Sequence, residues 1–184
     1  MSADAMVTTL KSMKLHGMAG AIAELDEQGA PAFKQAGELL DKLIKAEVAE
    51  REVRSINYQM NIARFPAHRD LSGFAFKESA ANEGQVKTLH RCEFLDDTEN
   101  IVLIGGPGTG KTHIATAIGV QAIVHYHRRV RFLSTIDLVN ALEQEKLNGK
   151  QGRLANRLTH VDLVILDERS GPRKSDSAIR WNPA

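Results

Sequence analysis

The stretch Ile101-Val102-Leu103-Ile104-Gly105-Gly106-Pro107-Gly108-Thr109-Gly110-Lys111-Thr112 decides how the rest of this chain is read. Its four opening residues are apolar and three are β-branched, which predicts a short buried strand. Gly105 to Thr112 then fit the P-loop pattern G-x-x-x-x-G-K-[ST], and Thr112 to His125 read as a helix. Glycines tolerate positive φ and carry no side chain, so successive backbone N–H groups can converge on phosphate oxygens. A helix that opens near Gly110 turns its unsatisfied N–H groups and positive dipole end toward the same anion. Lys111 adds a full positive charge aimed at the β- and γ-phosphates, and the Thr112 hydroxyl can complete a Mg²⁺ shell. The bland alternative is a glycine-rich strand-to-helix turn with a surface lysine.

Outward toward the C-terminus, the pattern continues as alternating strand and helix. Val130 to Leu133 read as a second strand. Ser134 and Asp137 have the spacing of a capping box, which opens a helix through Leu142. Val161 to Leu166 read as a third strand, apolar except for Asp162. Such runs suit parallel strands buried on both faces and joined by crossover helices. Asp167 and Glu168 follow directly. An Asp-Glu pair after a strand is by itself an ordinary solvated loop. Coupled to the upstream P-loop it points to a Mg²⁺-dependent nucleoside triphosphatase, with Asp167 holding the metal through its water shell and Glu168 polarising a water as general base.

Outward toward the N-terminus the period is helical. Val7, Leu10, Met13, Met18, Ile22 and Leu25 predict one or two short helices, weakened by Gly17 and Gly20. Gly29-Ala30-Pro31 is a breaker, after which Leu39, Leu40, Leu43, Ile44, Val48, Val53 and Ile56 form a stripe. Glu47 with Arg51 and Glu50 with Arg54 are i,i+4 pairs in the favourable order. The pattern stops at Phe65-Pro66, because proline disfavours the α conformation of the residue before it. Residues 66 to 80 read as a connector, and Val86, Leu89, His90 and Leu95 as a short helix. The domain reading is therefore a helical N-terminal module over 1–65, a connector and short helix over 66–95, a partial P-loop domain over 96–168 and an atypical, disordered tail over 169–184.

The 184 residues, 42% hydrophobic and 26% charged, suit about one globular domain and exclude a disordered or collagenous chain. No signal-like h-region opens the chain, and no apolar run approaches the roughly 18 residues a membrane span needs. A single cysteine, Cys92, cannot form an internal disulfide and fits a cytoplasmic location. Charge is nearly balanced at a net +1, yet Arg169, Arg173, Lys174 and Arg180 against Asp176 make the last segment strongly basic.

Taken in order, Asn100 to His113, Val130 to Leu133 and Val161 to Glu168 resemble the IstB-type helper ATPases of bacterial insertion sequences. Leu15 to Ala19, Ala49 to Glu52 and Ala63 to Pro66 resemble the N-terminal part of the same family. The resemblance runs collinearly over about residues 6 to 168. It implies an α/β fold, a P-loop NTPase of the AAA+ class preceded by a small all-α N-terminal module, and kinship with helicase loaders. It also implies ATP and Mg²⁺ as cofactors, with Gly105, Gly106, Pro107, Gly108, Thr109, Gly110, Lys111, Thr112 and His113 binding nucleotide. Thr112 and Asp167 would serve the metal, and Lys111 and Glu168 catalysis. The implied partners are the transposase of the same element and DNA bound without sequence specificity; self-association is implied for full-length members and is not expected of this shorter chain.

Beyond Glu168 the likeness stops. Family members continue with a strand carrying a sensor residue and with arginines that act on a neighbour's nucleotide, whereas Arg169 to Ala184 show no apolar period. The tail reads as a frameshifted or truncated element copy. The expectation is an incomplete parallel sheet, either with a gap or with the P-loop and Asp-Glu strands paired directly, and with ATP bound but poorly hydrolysed. Two other readings stay open: a helicase-loader-like replication ATPase and a P-loop kinase, although a kinase has little need of the Asp-Glu base.

Weaker signals favour ordinary explanations. His125 and His127, two apart, face different directions on a helix and suit a solvated end better than a metal site. Arg128, Arg129 and Arg131 beside Tyr126 and Phe132 could touch DNA phosphates or simply be surface charge. Cys92 reads as a small semi-buried residue, Met6, Met13 and Met18 as helical core, and Trp181 as exposed.

Overall fold

The computed structural model describes residues 1–168, so the basic tail and Trp181 lie outside the described residues. Two compact units divide at Ser55 and Ile56.

In the first unit, Ser2 caps helix α1 (Ala3–Ser12), its hydroxyl accepting from the Ala5 N–H at 3.3 Å. Lys14 takes φ 62° and the Leu15 N–H returns to the Leu10 carbonyl at 2.9 Å, ending the helix. Helix α2 (His16–Glu27) follows, so there are two helices and the break falls at Met13 to Leu15. Gly17 and Gly20 lie inside α2, with open space where a Cβ would stand. Their cost, about 1 kcal/mol each relative to alanine, is offset by the burial of Ala19 and Ile22 on the same helix. Gly29, at φ 60°, then Pro31 at the first position of helix α3 (Pro31–Ala63), realise the breaker. Met6, Leu10, Ala19, Ile22 and Ile44 make the core, with Met13, Phe33 and Leu40 packed against it. Met18 departs from the expected core role: it is 49% exposed and is absent from the cluster built on Ala19 and Ile22. The expected pairs form on α3, Glu47 to Arg51 at 2.6 Å and Glu50 to Arg54 at 3.6 Å. Arg51 also donates to the Met13 carbonyl at 2.7 Å.

The second unit begins with the end of α3. Arg64 at φ 60° terminates that helix one residue before Phe65-Pro66, as the proline requires. The connector carries a 3₁₀ turn at Phe76–Glu78 and leads to helix α4 (Glu83–His90), capped by the Asn82 side chain. Next come helix α5 (Lys111–Val124), strand β1 (Val130–Ser134), helix α6 (Thr135–Leu147), helix α7 (Arg153–Leu158) and strand β2 (Leu163–Asp167). The Ser134 hydroxyl accepts from the Asp137 N–H at 3.0 Å and starts α6 where the capping-box spacing predicts. β1 and β2 are parallel, with Val130 opposite Leu163 and Ser134 opposite Asp167. The core joins Ile56, Met60 and Ala63 of α3 to Ile114, Ile118 and Ile123 of α5 and to Val130, Phe132 and Ile165 of the sheet. Gly119 lets α5 lie this close: a Cβ there would stand 2.7 Å from Phe65 and 2.8 Å from Ile165.

Two expectations are corrected here. Ile101 to Ile104 form no strand; among the described residues the sheet holds β1 and β2 alone. Val102 and Ile104 are 78% and 91% exposed. A strand exists only through its hydrogen-bonded neighbour, and none of the described residues offers these four a ladder. Neither arrangement foreseen is found among the described residues: Ile101 to Ile104 join no sheet, and β2 pairs with β1. Nor is β2 buried on both faces, since only Ile165 is buried while Val164 and Leu166 are exposed.

Candidate functional site

The residues singled out by sequence are brought together at one end of the parallel sheet. Lys111 opens α5, and Asp167 ends β2 at its carboxyl edge, where open α/β sheets place ligands. The Thr112 hydroxyl donates to the Asp167 carboxylate at 2.9 Å, and the Asp167 carbonyl accepts from the Thr135 hydroxyl at 3.3 Å. Two residues 55 positions apart thus share one hydrogen bond at the mouth of the loop. Glu168 stands exposed just beyond.

The loop is closed on itself. The Lys111 ammonium donates to the Gly105 carbonyl at 2.6 Å and the Gly106 carbonyl at 2.7 Å, while the Thr109 hydroxyl donates to the Gly106 carbonyl at 2.9 Å. Gly108 and Gly110 take φ 77° and 87°, which glycine adopts without Cβ strain. Gly105 to Thr109 are exposed, so the carbonyls that hold the ammonium lie at the surface. Thr112 and Asp167 fit a hard divalent cation. Two neighbouring ligands of an octahedral Mg²⁺ with bonds of 2.0–2.1 Å stand roughly 2.9 Å apart, and that is the separation of the two oxygens.

Sequence reasoning missed the side of the loop formed by the connector. The Phe74 ring covers Gly110, where a Cβ would stand 2.9 Å from its Cζ and closer still to Cε2. The His113 Nε2 lies 2.8 Å from the Asp70 carbonyl, and its ring meets Phe74 edge-on at 5.2 Å. The Ser79 hydroxyl reaches the Thr109 carbonyl at 3.5 Å. The signal was present: Asp70-Leu-Ser-Gly73 is a turn sequence in which an Asp side chain bonds its own backbone. Here the Asp70 carboxylate accepts from the Gly73 N–H at 2.9 Å and the Ser72 hydroxyl at 2.7 Å, and these bonds hold its carboxyl below the usual carboxylate range.

The remaining candidates take structural roles. Arg129 forms a forked pair with Asp162 at 3.1 and 3.2 Å, Arg128 pairs with Asp96, and Arg131 donates to the Ile62 carbonyl. Two of the three arginines are thus paired with a carboxylate. His125 and His127 are exposed. Cys92 is buried, its thiol pushed up to about 11 by desolvation, so it is no nucleophile at neutral pH. A cleft of about 490 Å³ at the end of α6 and along α7 is lined by polar side chains and shares no residue with the loop.

Comparison with known proteins identifies the family. The family described as IstB-like ATP binding protein matches residues 8–174. The chain is 32% identical to the ATP-binding protein of insertion sequence IS5376 from Geobacillus stearothermophilus, over 71% of this chain and 52% of that protein. It is 30% identical to the ATP-binding protein of IS21 from Pseudomonas aeruginosa, over 86% of this chain and 60% of the relative. The replicative helicase loader DnaC of Escherichia coli is 29% identical over 75% of this chain and 61% of the loader. The chain thus spans about half to three-fifths of the length of these relatives. With a match over most of its residues, this chain belongs to the IstB-like ATP binding protein family.

Proposed function

We propose that this chain is an ATP-binding helper of insertion-sequence transposition, with residues 96–168 as its nucleotide-binding part and residues 1–65 as a helical module for partner contacts. The observation that carries the reading is the meeting of Thr112 and Asp167 beside the glycine loop that presents Lys111. Loop amides from Gly106 to Thr112 and the Lys111 ammonium bind the phosphates. The Thr112 hydroxyl and the Asp167 carboxylate hold Mg²⁺, which offsets charge on the phosphate oxygens. No cluster of three or more His, Cys, Asp or Glu suited to a metal occurs among the described residues, so the other ligands would be phosphate and water. Glu168 orients a water toward the γ-phosphate. Turnover is slow in this reading, because residues 101–104 have no strand partner to hold the loop rigid and Glu168 stands in solvent.

The transposase of the same element is the proposed partner, supported by relatives named for insertion sequences. DNA bound without sequence preference completes the proposal. No helix among the described residues is long and apolar enough to cross a membrane, and the cytoplasm is the proposed compartment. A fluorescent ATP analogue titrated into the 184-residue chain tests the core of it. Binding by the wild type and its loss in Lys111→Ala are expected; equal binding by both would defeat the reading. The resemblance to DnaC favours a second reading, helicase loading. Capture of a replicative helicase in place of the transposase would favour it, and phosphate release dependent on an added acceptor would favour a kinase.

A further inference from the structure

We propose that His113 is a positioning residue: with Asp70 and Phe74 it clamps the connector against the hinge of the glycine loop and thereby sets nucleotide affinity. The inference rests on the nucleotide-binding reading above and assigns a role to residues outside the loop itself.

The contacts form a closed circuit. The Asp70 carboxylate shapes the turn through Ser72 and Gly73, and the Phe74 N–H bonds the Leu71 carbonyl at 3.1 Å, which fixes where the Phe74 ring emerges. That ring is held edge-on between Phe76, at 4.7 Å, and His113, at 5.2 Å, and lies over Gly110. His113 closes the circuit at the Asp70 carbonyl, 2.8 Å away. A carbonyl can only accept, so the proton of this bond sits on Nε2 of His113. The imidazole of His113 is therefore engaged with the connector on both its edge and its nitrogen, and its place just inside α5 ties that connector to the helix start.

The mechanical consequence follows from what must move. To bind a phosphate, Lys111 leaves the Gly105 and Gly106 carbonyls, and the peptides from 105 to 109 turn their N–H groups inward. Gly110 is the pivot for that motion: it is the residue before α5 and sits at φ 87°. With the Phe74 ring packed on its open face, rotation about Gly110 is blocked, and the rearrangement stays confined to residues 105–109. Without the clamp, the pivot adds its own freedom, and binding must freeze it.

The test compares wild type, His113→Ala, His113→Gln and Phe74→Leu, measuring dissociation constants for a fluorescent ATP analogue, thermal midpoints, and hydrogen exchange at the Gly73 and Phe74 amides. His113→Ala is expected to weaken binding about fivefold, the equivalent of one net hydrogen bond. His113→Gln, whose amide N–H reaches as far as Nε2, restores affinity to within about twofold. Nucleotide slows exchange at Gly73 and Phe74 in the wild type but not in His113→Ala. A purely structural His113 would lower the midpoint of His113→Ala and leave affinity unchanged; that result overturns the proposal. Should His113→Ala fail to fold, unchanged exchange at Gly73 and Phe74 on adding nucleotide to the wild type overturns it equally. Absence of any binding by the wild type defeats the nucleotide reading and this inference together, whereas equal binding by wild type and His113→Ala defeats this inference alone.

Discussion

Thr112 and Asp167 stand 55 residues apart in the chain and 2.9 Å apart in space, the hydroxyl of the first donating to the carboxylate of the second. One bond links the start of α5 to the end of β2, and in the proposed reading these are the two oxygens that would hold Mg²⁺. Asp167→Asn keeps an acceptor for Thr112 but removes the negative charge. Nucleotide affinity in EDTA should stay within about twofold of wild type, while the gain on adding millimolar Mg²⁺ falls at least about tenfold. Titration of the ATP analogue with and without Mg²⁺ checks this, and an unchanged Mg²⁺ gain would remove Asp167 from the metal site.

Gly110 and Gly119 both lack room for a methyl group, for different reasons. At Gly119 a Cβ would stand 2.7 Å from Phe65 and 2.8 Å from Ile165, so Gly119→Ala forces the core apart. A loss of about 1–3 kcal/mol in urea unfolding is expected, with part regained in Gly119→Ala/Ile165→Val, whose shortened side chain removes one clash. At Gly110 the clash with Phe74 adds to the cost of φ 87°, so Gly110→Ala should lose both stability and nucleotide affinity. Gly119→Ala, measured under folding conditions, should lose stability alone.

Asp162 ties part of the stability to pH in a definite direction. Its hydrogen bonds to the Arg129 guanidinium and N–H hold its carboxyl below the usual carboxylate range. A carboxyl depressed in the folded state contributes stability that is complete above its unfolded value and lost as pH falls toward the lower folded one. The stability difference between wild type and Asp162→Asn should therefore be constant above about pH 5 and shrink below about pH 4. Denaturant unfolding across pH 3 to 7 measures it. A difference that grows on acidification would contradict the pairing.

Cys92 provides a probe of the second core. Burial pushes its thiol up to about 11, against 9 for the free group. The thiolate fraction near pH 8 should be roughly a hundredfold below that of the unfolded chain. Ellman's reagent should react slowly with the native protein and at the ordinary rate in denaturant. Equal rates would mean that the site around Cys92 and Ile118 opens readily.

Much of the architecture is local, and the sequence alone determined it. The Gly29 to Pro31 break, the stop before Pro66, the Ser134 cap of α6 and the glycine loop before α5 each rest on conformational limits of one to four adjacent residues. The residues of the P-loop and the Asp-Glu pair were legible for the same reason, because their chemistry is carried by residue type and spacing. What sequence could not determine is whatever depends on a partner distant in the chain. Ile101 to Ile104 have the composition of a strand and form none, since a strand is defined by a neighbour's hydrogen bonds and no described segment supplies them. The clamp of Asp70, Phe74 and His113 on Gly110 joins segments about 40 positions apart, too far for any helical or strand period to register. The 2.9 Å bond of Thr112 to Asp167 was likewise decided only when α5 packed beside β2, and that packing brings together two motifs far apart in the chain.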